Sequence, residues 1–360
     1  MKVLHVAPLN VAGVPYLIAD MQRRFGVEAT LVTLHRSTLT FPEDICLNLP
    51  LPRHKLAHWW RAHKRGEPKP TERYGSAPGS SAPVHTPSNL FEDVYFRYDD
   101  RRRERAVEEA IERYNLDRFD VVHYDGGMDF FRDSRTAKRW KSSGKKIVCH
   151  YMGSDLRVRG IVPEMDALSQ LNLTNESDHL LLHPDIHYLY IPFDTKPYAV
   201  LSPHSGPVRI VHAPTNRSMK GTAFILPVIE AVKKVRDVEF VLIENTRHEE
   251  VLRIKQTCDI AIEQVGNLGG TGYGRNSLET LAMGIPTITE MTPDYLAWLP
   301  ENPFVLASRD TLFDVLLHVI DHADIRAEYG SKGHAWVQKY HSYESVHDRL
   351  EYLYREHHIS

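Results

Sequence analysis

The chain alternates short β-rich runs with helical runs twice over, once from its first residues and again from Val208. Such alternation specifies parallel strands joined by crossover helices, because two parallel neighbours cannot be joined by a tight turn. Met1 to Pro8 reads as a buried strand, Asn10 to Pro15 as a small-residue loop containing Gly13, and Tyr16 to Phe25 as a helix ended by Gly26. Glu28 to Leu34 then gives the second strand of a βαβ unit. Ala106, Val107, Ala110, Ile111 and Tyr114 mark one side of a helix over Arg101 to Tyr114, and strands follow at Phe119 to His123 and Lys146 to His150. Two shorter strands are expected at Leu180 to His183 and Tyr188 to Ile191.

A proline-bearing stretch from Pro192 to Pro207 separates the two halves. Beyond it the pattern restarts. The expected elements are strand Arg209 to His212, helix Thr222 to Val235, strand Val238 to Ile243, helix Glu249 to Cys258, strand Ile260 to Ile262, strand Thr287 to Thr289, and helices from Asp310 onward. At 360 residues the chain exceeds what a single core usually serves. The fold class expected is therefore α/β, with two Rossmann-like doubly wound domains facing a central cleft. Their bounds are 1–192 for the first, 193–207 for a linker, 208–335 for the second, and 336–360 for a C-terminal helix packing back toward the first.

The charge balance, 44 Lys and Arg against 47 Asp and Glu, supplies no global field for nucleic acid. The three cysteines, Cys46, Cys149 and Cys258, are far apart, odd in number and without metal-type spacing. A reducing, cytoplasmic setting is expected, since the chain opens directly into a strand and no apolar run approaches the ~20 residues that span a bilayer. Pro52 to Arg65 combines basic residues with Trp59 and Trp60, a pattern for a solvated basic helix or for peripheral contact with the inner face of a membrane. His54 and His58 in that segment have no metalloprotease glutamate beside them, so no metal is expected there. Residues 66–88, rich in Pro, Ser and Gly, read as a long loop.

Gly269 to Ile288 carries the densest chemistry. Gly269, Gly270, Gly272 and Gly274 permit close backbone approach, and Leu278, Leu281 and Ala282 follow at helical spacing, with Gly284 and Pro286 as the stop. Such a loop delivers amides at a helix N-terminus, where phosphate is favoured. Glu279 lies one turn in and can accept hydrogen bonds from ribose or sugar hydroxyls. Other polar exits from strands are His123 to Gly127, and His150 to Arg157 with Gly153 and Asp155; His123, His150 and Asp155 also fit structural roles as caps or loop anchors.

These residues resemble the retaining, nucleotide-sugar-dependent glycosyltransferases of family 4, which have the two-domain GT-B fold. Gly272-Tyr273-Gly274 through Glu279 to Ile288 matches that family's donor-site loop, helix and strand; Pro192-Phe193-Asp194 looks like its interdomain turn; His212 to Gly221 is similar to its basic loop. The resemblance is strongest from Val208 to Thr289 and leaves Pro52 to Ser88 unmatched. It implies a sugar transferred from a UDP- or GDP-type donor to a hydroxyl acceptor (glycan, lipid-linked or small molecule), with the nucleotide-sugar a substrate and no cofactor or metal. Arg217 and Lys220 would meet the diphosphate, the amides of Asn276 and Ser277 would face phosphate, and Glu279 would hold the ribose. Gly13 would lie near the diphosphate or acceptor, His123 or Asp155 near the reacting sugar. Thr271 stands where the family commonly has a second glutamate, and Glu263 or Gln264 is the substitute contact expected. A non-catalytic nucleotide-sugar or glycan-binding module is the alternative.

Overall fold

Strands buried on both faces are satisfied only between two helical layers, and central strands of this chain are of that kind: all five residues of Val121–Asp125 and of Ile260–Gln264 are buried. The computed structural model describes residues 1–37, 41–49, 81–87, 90–153, 155–198, 200, 206–266 and 272–360. Pro52 to Arg65 with its tryptophans and histidines, most of 66–88, and Gly269, Gly270 and Thr271 lie outside the described residues.

Two compact units divide the described chain: residues up to Pro192 together with Val346–Ser360, and Phe193–Ser345. The first contains, in chain order, β1 (Lys2–Ala7), α1 (Val14–Arg24), β2 (Glu28–Thr33), β3 (Ile45–Cys46), α2 (Leu90–Arg113), β4 (Val121–Asp125), α3 (Arg135–Ser142), β5 (Lys146–Tyr151), α4 (Pro163–Leu168), β6 (Leu171–Thr174), α5 (His179–Leu182) and β7 (His187–Tyr188). Its strands form a parallel sheet in the order β3-β2-β1-β4-β5-β6-β7. The chain runs outward from β1 and then returns to its other side, so the strand order reverses between β1 and β4.

The second unit holds β8 (Val208–His212), α6 (Thr222–Lys233), β9 (Val238–Leu242), α7 (His248–Lys255), β10 (Ile260–Gln264), α8 (Arg275–Ala282), β11 (Thr287–Thr289), α9 (Pro293–Trp298), β12 (Val305–Leu306), α10 (Leu312–Asp321) and α11 (Ala323–His341). Its parallel sheet has the order β12-β11-β10-β8-β9, reversing between β8 and β10. A last helix, α12 (Tyr343–Glu356), ends the chain, its residues from Val346 belonging to the first unit. Ile210, Ile225, Ile229, Ile260, Ile262 and Leu316 fill the core between the second sheet and its helices. No described helix is long and apolar enough to cross a membrane.

Two sequence expectations fail locally. Leu180 to His183, expected as a strand, is the helix α5; the strand in that region is Leu171–Thr174, and Thr174 bonds the His179 imidazole at 2.8 Å. A four-residue apolar run has no period with which to distinguish the two states. The charged helix expected from Arg101 begins instead at Leu90, where exposed Leu90 and Phe91 carry no sign of the buried face.

Helix α8 is almost wholly buried, and α11 packs on it through glycines. A Cβ at Gly330 would lie 2.2 Å from the Gly284 carbonyl oxygen, and one at Gly333 would lie 2.6 Å from Leu281 Cδ2. In an ordinary helix, Gly→Ala stabilises by up to about 1 kcal/mol. Gly330→Ala should reverse that sign and destabilise by about 2 kcal/mol or more, because backbone must move to admit the methyl; denaturant unfolding checks it, and an unchanged midpoint contradicts the packing.

Candidate functional site

Ligand sites of open parallel sheets lie beyond the carboxyl ends of the strands at the point where strand order reverses. In the second unit that point is between β8 and β10. The loop leaving β8 is pinned by His212, fully buried, whose Nδ1 lies 2.8 Å from the Ile262 carbonyl and Nε2 2.9 Å from Thr222 Oγ1. Asn216 Oδ1 then accepts from the amides of Ser218 and Met219 at 3.0 and 3.2 Å, closing a turn that sends Arg217 and Lys220 to opposite sides. Arg217 forms a two-pronged pair with Glu244 beyond β9, at 2.6 and 2.5 Å, and stays half exposed. That pairing lowers the Glu244 pKa. Lys220 turns the other way, to Glu263 on β10 and to Gln264 Oε1 at 3.3 Å. Gly221, with φ of +67°, ends the loop where a Cβ would fall 1.7 Å from the Val265 carbonyl.

β10 carries an irregularity at this point. Ile262 pairs with Ile288 and Gln264 with Thr289, so Glu263 is an extra residue in the ladder. Its side chain is fully buried, and Oε2 accepts from Asn276 Nδ2 at 2.6 Å and Ser277 Oγ at 2.7 Å. Burial alone would raise its pKa, but the Lys220 charge and the hydrogen bonds from Lys220, Asn276 and Ser277 outweigh that and lower it. Asn276 and Ser277 occupy the first turn of α8, where amides lack an acceptor one turn back. The Ser277 amide is already turned to the Gly274 carbonyl at 3.0 Å. Gly272 is held by Thr289 Oγ1, which donates to its carbonyl at 2.6 Å, and a Cβ there would meet Met291 at 2.8 Å. Tyr273 packs with Phe304 and Trp336, its hydroxyl 3.1 Å from His341 Nε2, so its ring anchors the loop within the unit.

Glu279, one turn further, is buried among basic side chains: Lys255 Nζ at 2.5 Å, His248 Nε2 at 2.6 Å and Arg275 Nε at 3.4 Å. Burial would raise its pKa, yet the Lys255 charge and the His248 hydrogen bond prevail and hold it at about 2. Sequence reasoning missed Lys255, His248 and Glu244. Lys255 left a readable trace: it falls on the same stripe of α7 as Val251 and Leu252, a lysine where the helix otherwise turns apolar residues inward.

The first unit treats its candidates differently. Gly13 precedes α1 with φ of +75°, and Gly153 is exposed after β5 with φ of +54°. Asp155 serves the backbone, accepting from the Met152 amide at 2.9 Å and pairing with Arg159 at 3.2 Å. His123 lies in mid-strand and fully buried, bonded to the Tyr354 hydroxyl of α12. Gln22 joins that hydroxyl, at 3.1 Å, to His5, at 2.8 Å. Asp125 lies 3.5 Å from both His5 and His150. Burial, then the neighbouring His5, depresses the His123 pKa well below its usual value. His123 and Asp155 thus belong to separate networks. Among the described residues no cluster could hold a metal ion.

No family model matches the chain, and no curated protein matches it in sequence. Solved structures match it in fold. HepE of Anabaena, in complex with UDP, is similar with a TM-score of 0.60 at 12% identity, over 99% of this chain and 100% of that one. The fold is GT-B. The N-terminal domain of Candida albicans trehalose-6-phosphate phosphatase gives a TM-score of 0.60 at 11% identity, over 99% and 97% of the two chains. The glycosyltransferase of kitacinnamycin gives 0.50 at 13% identity, over 98% of each.

Lys255→Met should cost about 3–5 kcal/mol at pH 7, since it strands a buried carboxylate. Adding Glu279→Gln should recover much of that loss. Glu279 titrates near 2 in the folded chain against about 4.5 in its ordinary state. The stability it supplies is therefore full above pH ~4.5 and disappears as pH falls toward 2, and denaturant unfolding from pH 7 to 3 should show a shallower acid loss in the double variant than in the wild type.

Proposed function

We propose that the protein is a glycosyltransferase that moves a sugar from a UDP- or GDP-type donor to a hydroxyl acceptor, with retention of anomeric configuration and without a metal. The observation that carries this reading is the meeting, at the strand-order reversal of the second unit, of Lys220, the first turn of α8 and buried Glu279. As a sugar leaves a nucleoside diphosphate, negative charge gathers on the phosphate. Lys220, Arg217 and oriented helix-end amides are the groups that stabilise such charge. Glu279 would accept the ribose hydroxyls through Oε1, displacing the part-exposed His248 that holds it here. The GT-B fold and the UDP bound to HepE support a nucleotide donor.

In this reading the chain's task is positioning and electrostatics, with the leaving phosphate taking the acceptor's proton. His123, buried against Tyr354, and Asp155, bound to backbone, then act on the scaffold of the first unit. A glycan, lipid-linked or small-molecule acceptor fits the proposal, as does peripheral membrane contact through Trp59 and Trp60. One observation favours a second reading, a non-catalytic nucleotide-binding module: both Glu263 and Glu279 are already engaged by the chain's own cations.

Arg217→Ala alters a half-exposed side chain and should leave folding intact while lowering transfer or donor hydrolysis on the order of 10²-fold. Release of free nucleoside diphosphate from UDP- and GDP-sugars measures it. Unaltered turnover in Arg217→Ala and in Glu279→Ala would sink the site assignment, and nucleotide binding with no turnover by the wild type would favour the second reading.

A further inference from the structure

We infer that Glu263 is a positioning residue, which presets Lys220 and the first turn of α8 for a diphosphate and does not itself touch the transferred sugar. The inference deepens the donor-site reading above and rests on it. Three observations carry it.

The bulge at Glu263 is the first. In a regular strand, consecutive side chains point to opposite faces. Here Glu263 and Gln264 both reach Lys220 Nζ, because the extra residue in the β10–β11 ladder re-aims one of them. The second is how fully Glu263 is occupied. Oε1 takes the Lys220 ammonium, and Oε2 takes Asn276 Nδ2 at 2.6 Å and Ser277 Oγ at 2.7 Å, with none of the side chain exposed. Three of its roughly four acceptor sites are taken, and with no exposed surface it could meet a sugar only by leaving those donors. The third is what it connects. Lys220 ends the loop after β8, whereas Asn276 and Ser277 open the helix after β10, the two segments that flank the reversal point. Hydrogen bonds to a charged group are about twice as strong as neutral ones, so a single carboxylate fixes both segments before any donor arrives. Groups fixed in advance cost no reorganisation as phosphate charge develops.

Shape is nearly preserved in Glu263→Gln while the charge is removed, so Lys220 loses its anchor and the first turn of α8 keeps one acceptor. Calorimetric titration of the full-length chain with UDP, GDP, inorganic pyrophosphate, uridine and guanosine separates the terms. The wild type should bind one nucleoside diphosphate. Glu263→Gln, with its melting temperature checked, should bind that nucleotide on the order of tenfold more weakly, with the matched nucleoside changed less than about twofold. In a Lys220→Met background the same substitution should cost less than about threefold, since its effect runs through Lys220. Asn276→Ala, which leaves the Lys220 pair in place, should weaken the diphosphate about threefold and decides the matter should Glu263→Gln fail to fold. Diphosphate affinity unchanged in the folded variant, or nucleoside and diphosphate weakened alike, overturns the inference alone. A wild type that binds neither nucleotide nor pyrophosphate overturns the donor-site reading, and this inference with it.

Discussion

A carboxylate taken out of water must be paired, and the second unit is arranged around two that are. Glu263 and Glu279 are both buried, one at the end of β10 and the other one turn into α8. Their partners come from every segment that borders the strand-order reversal: Lys220 from the loop after β8, Lys255 and His248 from α7, Asn276, Ser277 and Arg275 from α8 itself. Loss of Lys220 would leave Glu263 without a cation, and loss of Lys255 would remove the nearest one from Glu279, each at a cost of several kcal/mol. Mutual need of this kind keeps polar groups aimed at one place in a unit otherwise held by apolar packing. The glycines of α11 complete it, since they let a second helix close over α8 without displacing it.

The first unit uses buried polarity for a different end. His5, His123 and His150 come from three neighbouring strands, with Asp125 between two of them, and Tyr354 reaches in from the last helix of the chain. Burial keeps His123 neutral, while His150 and His5 hold the Asp125 carboxyl down to about 2 against the upward pull of its own burial. None of these groups is exposed. Their contribution is to tie the residues after Val346 into the first sheet. A histidine at a strand expected to end in a ligand site thus proves to face the core.

Much of the fold was legible because parallel sheets write themselves plainly. Short buried strands alternating with helical runs admit few alternatives, and the two halves of the chain repeat the pattern. The candidate site was legible in its backbone, where close packing dictates residue type: Gly272 and Gly221 sit where a side chain would collide with Tyr295 or with the Val265 carbonyl. It was not legible where a residue's meaning depends on its partner. Arg217 and Lys220 look alike in the sequence, but one is half exposed against Glu244 and the other is locked to a buried Glu263. Lys255 and Glu279 are 24 positions apart and pair only because α7 and α8 flank the same strand.

By itself the sequence determined two α/β halves, the boundary near Pro192, and a glycine-bearing turn into a helix with a glutamate one turn in. Local rules sufficed, since hydrophobic period and glycine's freedom act over a few residues. Only the tertiary structure decided which charges neutralise each other, that a bulge brings Glu263 and Gln264 to one lysine, and that His123 points into the core. Those are facts of strand order and register. Strand order brings β8 and β10 together although a strand and two helices intervene, and no interaction within either segment encodes that neighbour.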